Sequence, residues 1–158
     1  NVGYEVAKRL GAFGVNVIGV GRRKVESSYL SESLTIEYVD EALMKSDIVI
    51  LTLPLTDETR YFINEDKINI MKDNAVLVNV ARGGIVDETS LINALRKDKF
   101  LGIALDVFEE EPLTERSLWE FDNVIITPHN SFVSDKVNER LFKMILENFR
   151  KIGGKHEI

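Results

Sequence analysis

Three stretches of this sequence place residues fit for anion binding or acid–base work directly after apolar runs. In Val78-Asn-Val-Ala-Arg82-Gly-Gly-Ile-Val-Asp87-Glu88, an arginine follows a β-branched run and precedes two glycines. A guanidinium so placed can grip a carboxylate through two parallel hydrogen bonds, which fixes orientation as well as charge. The same residue can equally be a surface arginine in a turn. In Gly102-Ile-Ala-Leu-Asp106-Val-Phe-Glu-Glu-Glu111-Pro112, Asp106 closes an apolar run and Glu111 precedes a proline that restricts its backbone. An acidic loop of this kind is usually just solvated. In Ile125-Ile-Thr-Pro-His129-Asn-Ser131, a histidine stands just past a third run. Imidazole ordinarily titrates near neutrality and suits general acid–base chemistry, although a lone histidine is more often structural. The only other histidine, His156, lies in the tail.

The elements that would position these residues are legible from periodicity. Short apolar, β-branched runs at 15–20, 48–53, 75–79, 102–106 and 124–126 read as strands, with a weaker one at 35–38. Helical spacing occupies 3–13, 39–44, 65–71 and 88–97, and Asp87 stands where an N-cap would start the last of these. Near-continuous apolar strands alternating with helices imply a parallel sheet covered on both faces, a doubly wound α/β fold of Rossmann type. Ligands bind at the carboxyl edge of such sheets, the edge that Arg82 would occupy. From Ser134 onward, Val137, Leu141, Ile145, Phe149 and Ile152, with Met144 beside them, form one apolar stripe that Gly153-Gly154 stops. The expected division is a partial dinucleotide-binding domain at 1–133 and an amphipathic C-terminal helix at 134–158. That helix either covers this sheet or packs on a further domain, and the pattern leaves both open.

Composition narrows the function classes. The 158 residues are 44% hydrophobic and 29% charged, enough apolar mass for a core. A net charge of −6 argues against nucleic acid or an anionic membrane as the main partner. With no cysteine, disulfides, thiolate nucleophiles and Cys-ligated metals are excluded, and no metal site is expected. The longest apolar run, at 48–55, is too short to span a bilayer, and the first residues do not have the form of a signal peptide. A cytoplasmic setting is the default.

The chain opens on Gly3 and a helix, followed by a strand ending in Val-Ile-Gly-Val20. This looks like the second half of a dinucleotide-binding βαβ unit, with Gly3 as the third glycine of its turn. A sheet without the strand that precedes such a turn would leave two inner edges unpaired. The expectation is therefore a polypeptide that extends upstream of Asn1.

The order and spacing of the three stretches resemble the D-isomer-specific 2-hydroxyacid dehydrogenases, as does Leu51-Thr-Leu-Pro-Leu-Thr-Asp-Glu-Thr59. The resemblance runs over nearly the whole chain, and it implies roles. Arg82 would hold the substrate carboxylate and polarise the C2 oxygen. His129 would protonate that oxygen on reduction and act as base in reverse. Glu111 would bond the other ring nitrogen, fixing the tautomer and favouring the imidazolium. Formate dehydrogenases, similar in fold, use glutamine at that third position, so Glu111 favours hydroxyacid chemistry. Cofactor contacts implied by position are Asn1, Val2 and Gly3 at the pyrophosphate turn and Leu53, Pro54 and Thr59 after the fourth strand. Val80 and Ala81 would lie beside the nicotinamide, and Asp106 would hold the nicotinamide side of the cofactor.

NAD-preferring relatives carry an acid at the end of the second strand to bind the ribose 2′-hydroxyl. Here that position is Gly21, followed by Arg22-Arg23-Lys24, which favours NADP over NAD, although a solvated basic turn would look the same. The His-Asn-Ser sequence departs from the family's more frequent His-Ile/Leu-Gly/Ala, which weakens carry-over beyond His129. The resemblance implies a small 2-oxoacid or 2-hydroxy acid substrate of glyoxylate, hydroxypyruvate or phosphoglycerate type, and a homodimer. The particular acid is not written in these residues. Corepressors of the C-terminal-binding-protein type resemble the same family and retain the triad, so an NAD(H)-binding scaffold is the alternative. A third reading is that this stretch alone binds cofactor and does nothing else.

Overall fold

The computed structural model describes residues 2–114 and 116–153, in two compact units, Asn1–Pro128 and His129–Ile158. In the first unit, α1 (Val2–Gly11) leads into β1 (Ile18–Gly21) and β2 (Glu32–Thr35). Then come α2 (Val39–Lys45), β3 (Ile48–Leu51), α3 (Glu65–Ile70), β4 (Ala75–Asn79), α4 (Glu88–Leu95), β5 (Phe100–Leu105) and β6 (Val124–Ile126). The second unit is built on α5 (Val137–Gly153), which carries the apolar stripe expected from the sequence. Gly154, the second half of the expected stop, and His156 lie outside the described residues.

Every strand pair is parallel. β1 pairs with β2, and β3, β4, β5 and β6 pair in that order. The register aligns Leu51, Asn79, Leu105 and Ile126 in one row across the four-stranded sheet. The chain therefore leaves all four strands at the same edge. The strands expected at 75–79 and 124–126 form with those bounds, and the others shift by a few residues. The weak strand at 35–38 is a misreading. The strand there ends at Thr35, and Ile36–Tyr38 is a 3₁₀ turn feeding α2. Isoleucine and tyrosine favour strands, but this segment has no partner strand and its side chains stay outside the core.

The core explains why β4 and β5 sit centrally. Ala75, Leu77 and Asn79 of β4 are buried in alternation, and Leu77 has no exposed surface. Phe100, Ile103 and Leu105 of β5 join them, together with Ile68 of α3 and Leu91 and Leu95 of α4. Burying one such side chain is worth roughly 1.5–3 kcal/mol. Asp87 caps α4 as its type predicts, its carboxylate accepting from Thr89 N at 3.1 Å and Ser90 N at 3.3 Å. Asn64 caps α3 by accepting from Lys67 N. By contrast β1 has one hydrogen-bonded neighbour, β2, and β3 has one, β4. Among the described residues, no helix is long and apolar enough to cross a membrane.

Candidate functional site

The residues that follow the aligned row of strand ends build the candidate site. Asn79 ends β4 with its side chain almost wholly buried, an unusual place for an amide in an apolar strand. Both ends of that amide are used. Its Oδ1 accepts from Ala81 N at 3.1 Å, and its Nδ2 donates to the Arg82 carbonyl at 3.0 Å. Its backbone carbonyl accepts from Asp106 N at 3.0 Å. Asn79 thus folds the 79–82 segment around itself and ties it to the end of β5. Arg82 is carried past the sheet edge, exposed, with one Nη1 contact to the Ala81 carbonyl at 2.6 Å.

Gly83 follows, and its lack of a side chain is what brings the second motif close. A Cβ there would fall 1.8 Å from the Phe108 carbonyl carbon and 2.4 Å from Glu109 N, so no other residue fits without moving backbone. The Arg82 turn and the loop after β5 therefore meet backbone to backbone. In that loop Glu111 Oε1 accepts from Phe108 N at 3.1 Å, which folds its carboxylate back over the turn. Arg82 and Glu111 are in this way carried on two segments pressed together at Gly83.

Glu109 adds a second clamp. Its Oε1 accepts from Glu88 N at 2.9 Å, and Glu88 Oε1 accepts from Glu109 N at 2.5 Å, a reciprocal pair at the start of α4. Its Oε2 accepts from the Tyr61 hydroxyl at 3.0 Å. This bond, to a carboxylate, pushes the Tyr61 hydroxyl above its ordinary pKa. Tyr61 holds a left-handed backbone (φ 51°), fixed by a 2.8 Å bond from its N–H to the Gly84 carbonyl. Ile63 and Asp87 continue that pairing, Ile63 N donating to Ile85 O and Asp87 N to Ile63 O. Three segments, around residues 61, 84 and 109, are knitted into one piece.

Asp106 is 3% exposed and accepts from the Thr127 hydroxyl at 2.5 Å, so β5 and β6 are joined at their carboxyl ends through side chains. Thr59 spends its hydroxyl within its own loop, donating to Pro54 O at 2.8 Å and accepting from Thr56 N at 2.7 Å. Leu53 is half-buried and packs against the core, and Pro54 is exposed. Val80 is half-buried and Ala81 buried. Val2 and Gly3 open α1, while Asn1 lies outside the described residues. Arg22 and Arg23 form an exposed bend directly after β1. A bond from the Thr56 hydroxyl, with a smaller share from the charge of Arg22, holds the Glu58 carboxyl below its usual value. His129 belongs to the second unit, three residues after the end of β6, with a left-handed backbone (φ 50°). Its ring packs edge-to-face on Phe132 at 6.1 Å between centroids.

The donor set fits a nicotinamide dinucleotide. Small apolar residues follow β4, a buried carboxylate able to accept from a carboxamide ends β5, and two guanidinium groups follow β1. A separate cavity of about 260 Å³ is lined by Asn69, Asn74, Asn93, Lys97 and Lys99, residues that lead into β4 and β5 rather than out of them. Its Lys99 ammonium is already held by the Met71 and Asn69 carbonyls and Asp73, so that cavity is part of the scaffold. Asn79, Gly83, Tyr61, Glu109 and Thr127 were not singled out by the sequence. Only Asn79, a polar residue inside an apolar run, and the Gly83-Gly84 pair carried a signal.

Residues 1–131 match the family model described as D-isomer specific 2-hydroxyacid dehydrogenase, NAD binding domain. The chain is 39% identical over 149 residues to a glyoxylate reductase of Pyrococcus furiosus, covering 93% of this chain and 44% of that protein. A D-isomer specific 2-hydroxyacid dehydrogenase of Xanthobacter autotrophicus Py2, solved in complex with NADPH and MES, superposes with a TM-score of 0.87 at 36% identity. The match covers 96% of this chain and 62% of that one. D-lactate dehydrogenase of Aquifex aeolicus, solved with NAD and lactic acid, gives a TM-score of 0.79 at 33% identity, covering 98% and 51%. The chain spans about half the length of the relatives it matches. By its matched residues and by its fold, it belongs to the D-isomer-specific 2-hydroxyacid dehydrogenase family and corresponds to that family's NAD-binding domain.

Proposed function

We propose that the protein transfers hydride between a nicotinamide cofactor and a small D-2-hydroxy acid or 2-oxoacid of glyoxylate, hydroxypyruvate or phosphoglycerate type. The observation that carries this reading is the seating of Arg82 and Glu111 on two backbones that touch at Gly83. An oxoacid needs its carboxylate oriented and its carbonyl oxygen protonated as hydride arrives. Arg82 supplies the first by bidentate bonding, and its positive charge polarises the carbonyl. His129 supplies the proton at the C2 oxygen, with Glu111 holding the opposite ring nitrogen. The bound nicotinamide supplies the hydride chemistry. Val80, Ala81, Asp106, Leu53, Pro54 and Thr59, with Asn1, Val2 and Gly3, hold the cofactor in place.

NADP(H) is the favoured cofactor, because Gly21 offers no carboxylate to repel a 2′-phosphate and Arg22 and Arg23 can neutralise one. The homologous NADPH complex is consistent with this, and the homologous NAD complex marks the alternative. A cytoplasmic homodimer is the accompanying setting. Leu101 of β5, Ile125 of β6 and Trp119 in the turn between them are each more than three-fifths exposed, apolar surface available to a second copy. The test is oxidation of NADPH and NADH against a panel of 2-oxoacids, with the protein as its gene encodes it. Turnover that Arg82→Ala lowers by about a hundredfold or more supports the reading. No turnover with any 2-oxoacid rejects it, and a clear preference for NADH rejects the cofactor assignment alone.

A further inference from the structure

We infer that Glu109 is a positioning residue for this reaction, holding the Arg82 turn, the Glu111 loop and the loop that follows Thr59 at a fixed mutual distance. The inference rests on the function proposed above. The Glu109 carboxylate bonds partners beside all three. Oε1 accepts from the N–H of Glu88, the first residue of α4, six residues after Arg82. Oε2 takes the Tyr61 hydroxyl, two residues after Thr59. The residue itself lies two before Glu111, and its own N–H returns a bond to Glu88.

The geometry explains why a carboxylate stands in a loop that solvent reaches. The Glu88 N–H stands in the first turn of α4, where helix geometry supplies no backbone acceptor and negative charge is favoured. The Tyr61 hydroxyl is held in reach by a backbone conformation that tyrosine rarely adopts. Gly83 permits the backbones to touch, but a contact alone lets them slide. Two charge-assisted bonds from one side chain fix the slide. Donation to this carboxylate raises the Tyr61 hydroxyl above its ordinary pKa.

A misplacement of Arg82 against Glu111 by a fraction of an ångström would leave cofactor binding intact and slow the reaction. The Glu109→Ala variant of the natural protein is therefore expected to lose about tenfold in kcat for the best 2-oxoacid. Its Kd for reduced cofactor, read by fluorescence titration, is expected to stay within about twofold. Glutamine can still accept from Glu88 N–H while its NH₂ donates to the tyrosine oxygen. Glu109→Gln should thus recover kcat to within about threefold of the parent.

A Glu109→Ala variant with parental kcat overturns the inference. So does one that loses cofactor affinity in step with turnover, or a Glu109→Gln variant as slow as Glu109→Ala. If Glu109→Ala does not fold, Tyr61→Phe carries the test. That variant removes one bond alone and should lower kcat about twofold to threefold at unchanged cofactor Kd, and parental kcat would refute the role. A parent protein without 2-oxoacid turnover overturns the functional reading and this inference with it, whereas an active parent with unaffected variants overturns this inference alone.

Discussion

The two-stranded sheet at the start of the chain and the four-stranded sheet that follows are built from similar β-branched and glycine-containing sequence, and they end up in different physical states. Before residue 39 only Ala7 and Leu34 are buried hydrophobics among the described residues. From Leu43 to Leu118, buried side chains of β3, β4, β5 and the helices α2, α3 and α4 form one cluster, with Val124 and Ile126 of β6 packed against it. Among the described residues, strands β4 and β5 have neighbours on both sides, whereas β1 has one. Parallel strands gain their stability from cover on both faces and pairing on both edges. The half that carries Arg82, Asp106 and Glu111 is therefore rigid by packing. The half that carries Arg22 and Arg23 presents its charges on an exposed bend. Orientation of a substrate needs the first property, and tolerance of a cofactor's phosphate needs only the second.

The sharpest way to break this contrast is to cut one core side chain in each half. Leu77→Ala, at a fully buried position in β4, should destabilise the protein by about 2–5 kcal/mol, because the cavity left cannot collapse between two paired strands. Val20→Ala in β1, where the side chain is 38% exposed, should cost less than about 1 kcal/mol. Urea midpoints of the two variants measure both. Equal losses would show that the two sheets share one core. Next in size is Gly83→Ala. The clash with the Phe108 backbone predicts about 1–3 kcal/mol of destabilisation. It also predicts a fall in kcat larger than that of a core variant of equal stability loss, since the strain falls between Arg82 and Glu111.

What the sequence revealed follows the same division. The strands at 75–79 and 124–126, the cap at Asp87 and the four ordered motifs were legible because each follows from local chemistry or pattern. The 3₁₀ turn at Ile36–Tyr38 was misread because strand propensity is a statement about packing, and no strand lies beside it. The clamp at Glu109 was invisible, since its two partners, Tyr61 and Glu88, lie 48 and 21 positions away in sequence. An acidic loop reads as solvated until the fold brings a helix start and a tyrosine to it. Thr59, a cofactor contact implied by the family resemblance, uses its hydroxyl on Pro54 and Thr56 within its own loop.

The smallest structural effect and the clearest functional one are expected at Gly21, the counterpart of Gly83 in the exposed half. A Cβ there meets nothing nearer than the Arg23 carbonyl at 3.5 Å, an ordinary contact. Gly21→Asp should then change stability by about 0.5 kcal/mol or less. Its carboxylate would stand beside Arg22 and Arg23, compete for them, and repel a 2′-phosphate while accepting from a ribose hydroxyl. Charge-assisted bonds of this kind are worth about 1.5–3 kcal/mol, so the ratio of kcat/KM for NADPH over NADH should fall about tenfold or more. Because the bend lies outside the core, this change should leave kcat with the better cofactor nearly intact. If the ratio stays put, the basic bend is only a solvated turn and the selectivity resides elsewhere. If kcat collapses along with it, the two halves are mechanically coupled, and the contrast between a packed reacting edge and a loosely held binding bend does not hold.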